Sequence, residues 1–518
     1  MSLFWSPPVE KTPTEEWILK LCKKAKLFVF LREHRHELFD DAFQAELAGM
    51  YRARDAGKEP VPPALLAMVT LLQAAMGVSD EDATEFAVMD RRWQMLLDTL
   101  GQNEAPFSQG TLFNFRERLI RDDLDRRLLE RTVELAKRTR GFSYKALRVA
   151  FDASPLFGAA RVEDTFNLIG HAARDLLRTV AERLGLSLEE AAQRAGIPLV
   201  TATSLKSALD IDWDDAAQKK AALERLLAQV RSLEAFVARE LKAELDKPPL
   251  AERCATLQQV LTQDLEPDPD GGGSRIRRGV ARERRISIRD GTMRHGRKSK
   301  SRRVDGYKRH LVIDVDNTLI LGVAVTPANR PEGEAMGDLV ADAVQYDAEL
   351  DDAYIDRGYL AAPEVEQLRQ QGTAVHCKAF PLNNAGRYTK ADFQLDLDAR
   401  RITCPAGARV PFDFGHTVHF PASTCQACPR RATCTTASGR GRSVSIHPQE
   451  SFLVELRATQ KTPEGRKQLR TRTVVEHSLA AVSRSQGQRA RFVGERKNLF
   501  DLRRHAAVAN LFVAARAA

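Results

Sequence analysis

The chain has 518 residues, 43% hydrophobic and 29% charged, a globular balance on a length that predicts two or three domains rather than one core. No stretch reaches the roughly 18 apolar residues of a bilayer span, and the first residues lack the basic–apolar–small order of a secretory signal, so a cytosolic or nucleoid location is expected. The net charge of +9 is concentrated: residues 271–310 hold 15 Lys/Arg against 3 Asp/Glu and residues 466–504 hold 11 against 3, which leaves −11 for the remainder. Two dense basic clusters on an otherwise acidic chain are the electrostatic footprint of a polyanion, nucleic acid above all.

Residues 1–140 read as a helical, DNA-binding domain. Pro62 and Pro63 start a helix with an apolar face of Leu65, Leu66, Val69, Leu72 and Met76, and Gly77 ends it. Ser79 with Asp82 resembles a capping box for the next helix. Ser108 caps another, with Leu112, Phe115 and Leu119 inward and Thr111, Asn114, Arg116 and Arg118 outward; such a helix suits a DNA groove or a plain helical bundle.

Residues 141–162 begin a different pattern, a strand over Leu147–Asp152 that is expected to stop at Ser154-Pro155. Residues 163–300 read as a helical insertion and basic linker. Its longest helix carries Leu223, Leu226, Val230, Leu233, Val237 and Leu241 at near-heptad spacing, a seam for dimerisation or for packing within the chain, and Pro267–Ser274 reads as a flexible linker. Residues 301–382 resume the strands: a hairpin of Tyr307–Val315 and Leu319–Val325 turning at Asp316-Asn317, a strand Ala353–Asp356, a helix from about Pro363, and a strand Thr373–Lys378. This series predicts an α/β fold, a mixed sheet flanked by helices. Residues 383–465 form a cysteine-rich insertion, and 466–518 are late helices.

Three acids stand out. Asp152 and Asp356 are placed at strand ends, and Glu476 borders the inward face of a late helix built on Val475, Leu479 and Val482, with Arg472 four residues before it. Phosphodiester cleavage without a covalent intermediate needs an activated oxygen and charge neutralisation at phosphorus, which two Mg²⁺ or Mn²⁺ ions roughly 3.5–4 Å apart supply; these hard ions prefer carboxylates. Elsewhere, Cys425 and Cys428 have the two-residue gap that lets both thiolates reach one tetrahedral ion, Cys434 follows closely, and Cys404 is the natural fourth ligand, with His416 and His419 as replacements. Structural Zn²⁺ is expected there.

The string Phe151-Asp-Ala-Ser-Pro-Leu-Phe-Gly-Ala, with Asp164-Thr165 downstream, resembles the first-aspartate region of bacterial insertion-sequence transposases of the DDE type. So do Met293-Arg-His-Gly-Arg-Lys-Ser-Lys-Ser, Asp305-Gly-Tyr-Lys-Arg-His, Thr326-Pro-Ala-Asn and Ile355-Asp-Arg-Gly-Tyr, and the stretch from Val475-Glu-His to Asn510-Leu511 resembles that family's glutamate helix and tail. The resemblance implies a ribonuclease-H-like catalytic core with Asp152, Asp356 and Glu476 as the triad, a cysteine-rich insert before the glutamate helix, and a homodimer acting on double-stranded DNA, both terminal inverted repeats and target. A related branch carries Tyr, Arg, Glu and Lys along that helix; here Arg472 and Glu476 keep their spacing, while Leu469 and Ser483 replace the other two. Arg294, Arg297, Lys298, Lys300, Lys308, Arg472, Arg484 and Lys497 are the candidate DNA contacts. The implied activity is metal-dependent cleavage at transposon ends and strand transfer; the alternatives are a catalytically silent DNA-binding relative and a ribonuclease-H-like nuclease without strand transfer.

Overall fold

The computed structural model describes residues 3–51, 60–269, 271–299, 301–346 and 349–517. Its centre is a mixed sheet of β1 (Ala146–Phe157), β2 (Arg294–Arg297), β3 (Arg303–Asp314), β4 (Ile320–Pro327), β5 (Glu349–Tyr354) and β6 (Ala374–His376). β3 pairs antiparallel with β1, β2 and β4, while β5 lies parallel to β1 and β6 parallel to β5. The fold is thus mixed α/β, as expected.

β1 does not stop at Ser154-Pro155 but runs on to Phe157, so Asp152 lies within the strand rather than at its end. The physical reason is an open edge. β5 pairs with β1 only over Ala146–Ala150, whereas β3 pairs with it as far as Phe157. The Phe157 N–H points away from β3 to the Gln488 carbonyl, and the Gly158 N–H points back to Asp305. By the alternation of a strand, the nitrogen of Pro155 faces the open edge, where its missing hydrogen costs no ladder bond.

The N-terminal helices include α1 (Pro63–Met76), α2 (Gln109–Arg121) and α3 (Leu124–Arg140). α1 opens on proline, is buried on every side from Pro63 to Ala74, and ends at Gly77 in the left-handed conformation (φ 70°) that glycine adopts without strain. The capping box of Ser79 and Asp82 and the Ser108 cap are both formed. The helices α4 (Thr165–Leu184), α5 (Ala216–Glu240) and α6 (Leu250–Asp264) follow β1 and enclose a core of their own, in which Leu223, Leu226, Val230, Leu233, Val237 and Leu241 are all buried. The heptad-like seam is therefore consumed by packing within the chain.

Downstream, α7 (Met336–Val344) covers β3 and β4, and α8 (Pro463–Thr471), α9 (Thr473–Gln486) and α10 (Glu495–Ala517) complete the fold. α10 packs against α1, α3 and β4, so one hydrophobic core runs from the N-terminal helices through the sheet to Ala515. Between β6 and α8, short strands at Gln394–Asp396, Arg401–Thr403 and Arg409–Pro411, and a second pair at Thr417–His419 and Ser443–Ser445, close over a small core that includes Phe393, Ile402, Phe412, Phe420 and Val444. Among the described residues no single helix is long and apolar enough to cross a membrane.

The basic stretch after α6 differs from the linker its composition suggests. Leu265–Pro267 and Ser274–Ile276 pair as a two-stranded ribbon, and Arg294–Arg297 joins the sheet as β2. Many of its cations are held internally: Arg284 by buried Asp264, Arg275 by Glu266, and Arg277 and Arg285 by backbone carbonyls.

Candidate active site

The open edge of β1 shapes the site. With no strand opposite, the Ala153 N–H turns to its neighbour's side chain and donates to Asp152 Oδ1 at 2.8 Å. Arg472, at the break between α8 and α9, donates from Nη1 to Asp152 Oδ2 (2.8 Å) and from Nη2 to Glu476 Oε1 (2.6 Å). Asp356 follows the end of β5, where the Ile355 N–H continues the ladder to the His376 carbonyl. Asp152, Asp356 and Glu476 line one cavity of about 510 Å³, with Arg472, Lys308, Arg297 and Lys298 on its walls.

A buried strut holds α9 in place. Arg309 of β3, 1% exposed, donates to Ser154 Oγ on β1 and to Gln486 Oε1 and the Gly487 carbonyl at the end of α9. Gln486 in turn donates to Asp501 of α10, which pairs with Arg504. A buried charge so bonded fixes the helix that carries Glu476 against the strand that carries Asp152.

The electrostatics are those of crowded acids. Burial pushes the Asp152 carboxyl up, with Asp356 adding to the shift and Arg472 and the Ala153 N–H opposing it. Burial also works against the charge of Arg472, but Asp152, Asp356 and Glu476 outweigh it and hold the guanidinium above its ordinary range. A fourth acid belongs to the same wall: Glu332, in the turn after β4, lines the cavity 3.8 Å from Lys308, its carboxyl raised by burial and by Asp356 and Asp152. Its Oε2 lies 2.0 Å from where a Cβ at Gly358 would stand, so a side chain there would displace the Glu332 carboxylate. The sequence reading does not select Glu332; the available signal is an acid just after the Thr326-Pro-Ala-Asn string at a hairpin end.

The other candidate cations divide. Lys308 donates to the Arg330 carbonyl while lining the cavity. Arg294 is half-buried and donates to the carbonyls of Gly291 and Met293, and Lys497 pairs with Glu117 of α2; neither lines the cavity. Arg484 is exposed on the later half of α9 and is not among the lining residues. Lys300 lies outside the described residues.

Cys404, Cys425, Cys428 and Cys434 line a second cavity, of about 180 Å³, with Tyr388 and Arg442; His416 and His419 do not. The Arg442 N–H donates to Cys425 Sγ at 3.3 Å. Burial raises the Cys434 thiol, Arg442 opposes the shift, and the other three cysteines add to it. Among the described residues no three His, Cys, Asp or Glu stand in the arrangement of a formed metal site, so the carboxylates and the thiols each surround a cavity rather than close on a point. Both donor sets still fit cations: hard oxygens that share a cavity and repel one another in the first, soft sulfur donors in the second.

A family model described as Transposase DDE domain matches residues 403–514, which include the four cysteines and Glu476, and one described as Transposase domain (DUF772) matches residues 23–118. No curated protein and no solved structure gives a match.

Proposed function

The chain belongs to the insertion-sequence transposases of the DDE type, and on that premise we propose that it cuts DNA at the ends of a transposon and joins them to target DNA, with Asp152, Asp356 and Glu476 as the metal-holding acids. The observation that carries this reading is the convergence of the three carboxylates on one cavity walled by cations, from strands and a helix up to 324 residues apart. The strand order supports a ribonuclease-H-like core: β4, β3 and β1 antiparallel in succession, then β5 and β6 parallel.

Two Mg²⁺ or Mn²⁺ ions held by these acids would activate the attacking oxygen and neutralise charge on the phosphate. The chain's own groups do the rest. The Ala153 N–H and Arg472 fix the rotamer of Asp152, and Arg472 ties Glu476 to it, so two acids from distant elements share one orientation. Arg297, Lys298 and Lys308 attract the DNA backbone to the cavity, where successive phosphates must lie for one of them to reach the acids. In the second cavity, Cys404, Cys425, Cys428 and Cys434 would hold one structural Zn²⁺, with the Arg442 N–H to Cys425 as the outer hydrogen bond such sulfurs accept. The active complex is a homodimer on paired ends.

The test is to incubate the purified chain with duplexes carrying terminal inverted repeats and Mg²⁺ or Mn²⁺ and to separate the products. Nicked and joined strands support the transposase; nicks alone indicate a nuclease; binding without cleavage indicates a silent relative.

A further inference from the structure

A smaller cavity, of about 160 Å³, shares Asp356 and Arg472 with the carboxylate cavity and adds Arg357, Lys378, Tyr354 and His376. We infer that it is an anion subsite that holds the DNA phosphodiester next to the one being cut, clamped by Arg357 and Lys378. The inference rests on the transposase reading and extends it to Arg357, which the Ile355-Asp-Arg-Gly-Tyr string contains without a role, and to Lys378, outside both basic clusters.

Three observations support it. Arg357 is oriented in advance: its Nε donates to the carbonyls of Lys378 (3.3 Å) and Ala379 (3.0 Å), and among the described residues no group accepts from its two terminal nitrogens. A guanidinium fixed at one edge and open at the other presents the paired donors that suit phosphate oxygens. Lys378 is exposed beside it, and among the described residues no carboxylate pairs with either cation. Of the other lining groups Asp356 is the one carboxylate, on the wall shared with the larger cavity, and the aromatic wall is fixed. Tyr354 and His376 are stacked at 4.7 Å, His376 is held by Asp352, and the Tyr354 hydroxyl is held by Arg148 and Gln468.

Size and position specify the ligand. At roughly 30 Å³ per water the cavity holds about five waters, room for a phosphodiester with part of a sugar and not for a base pair. Since the two cavities share Asp356 and Arg472, a phosphate in one and a phosphate in the other belong to neighbouring positions on a single strand.

The test uses the full chain and duplexes that carry the terminal inverted repeat, with a single neutral methylphosphonate placed in turn at each phosphate flanking the cleaved bond. Binding is measured by fluorescence anisotropy without divalent metal. For the wild type, one flanking position should weaken binding about 15-fold, in the range of one lost charge-assisted bond. In Arg357→Gln/Lys378→Gln the same substitution should have no effect, and the slope of log affinity against log salt should flatten by about 0.9. Lys378→Gln alone, at an exposed position, should retain the fold and show about half the effect, so the test stands if the double variant is unstable. An equal methylphosphonate penalty in wild type and variants overturns the subsite while leaving the transposase reading intact. Absence of both binding and cleavage with the unmodified duplex overturns both.

Discussion

The carboxylate cavity and the cysteine cavity are each lined by four acidic or thiol groups, yet they are built in opposite ways. The first gathers Asp152, Glu332, Asp356 and Glu476 from a strand, a turn, a strand end and a helix, and it depends on the long-range Arg309 strut to keep α9 against β1. The second takes all its sulfurs from residues 404–434, a region folded over a core of few apolar side chains. The difference teaches what each site demands of the protein. A large shared core can hold mutually repelling acids near one another, with Arg472 between Asp152 and Glu476 and Lys308 beside Glu332, and would so keep them available for an exchangeable ion. A small core cannot organise itself so firmly, and a structural ion would contribute much of its folding energy.

The largest effect should separate chemistry from fold. Asp152→Asn, Asp356→Asn or Glu476→Gln is expected to reduce cleavage of a labelled end duplex by about 10³-fold or more, roughly 4 kcal/mol of barrier, while binding of the duplex changes little. Full activity of Glu476→Gln would break the assignment, and neither Glu464 nor Glu495 lines the cavity to replace it.

The second effect falls on the other cavity. Cys425→Ser with Cys428→Ser should lower the zinc content of the purified protein from about one ion per chain to none and open residues 388–446 to protease, with the remaining chain still resistant. Unchanged zinc content and unchanged digestion would end the zinc reading and with it the contrast between the two sites.

This contrast also explains what could be read from the sequence. The gathering of the four cysteines at one cavity was legible because their spacing is local, and the same holds for the caps at Ser79 and Ser108 and for the strand–hairpin–strand series. The three acids were legible mainly through strings that resemble a family, since no spacing links Asp152 to Glu476 across 324 positions. Glu332 escaped because a lone acid after a hairpin is common and only the tertiary fold brings it beside Asp356. β1 was cut short because Pro155 is a fair stop signal unless its nitrogen faces an open edge, which depends on how far β5 extends. Charge counting overstated the basic stretch, because ion pairs such as Arg284–Asp264 form only in the folded chain.

Acid gives a smaller and graded effect on the large core. His310 is fully buried between the Tyr359 and Thr326 hydroxyls, and burial, with Lys308 adding, lowers its pKa to about 3. An unfolded histidine titrates near about 6.5. Between those values the unfolded state takes up the proton and the folded state does not, so stability is complete above about 6.5 and falls as the pH drops toward 3, by about 1.4 kcal/mol per unit. His505, lowered to about 4 by burial, acts in the same direction. Urea unfolding of wild type and His310→Gln at pH 6.5 and 5 should show the acid loss reduced by roughly 2 kcal/mol in the variant. An identical pH dependence in the two proteins would show that His310 is not the neutral group described.

The smallest effect tests which cations of the basic stretch meet DNA. Arg297 and Lys298 line the carboxylate cavity, whereas Arg294 is held by the carbonyls of Gly291 and Met293 and Lys497 is paired with Glu117. Composition alone treats all four alike; the structure divides them into two that line the carboxylate cavity and two that do not. Each duplex phosphate neutralised contributes about −0.9 to the slope of log affinity against log salt, so Arg297→Gln/Lys298→Gln should flatten that slope by up to about two. The loss should be equal for end-bearing and random duplexes, because phosphate contacts position DNA without reading its sequence. Arg294→Gln/Lys497→Gln should leave the slope unchanged and instead lower the thermal midpoint, since it removes bonds within the chain rather than contacts to DNA. Equal slopes in the two double variants would show that exposure at the cavity wall does not decide which cations bind DNA, and the basic stretch would then act through its total charge.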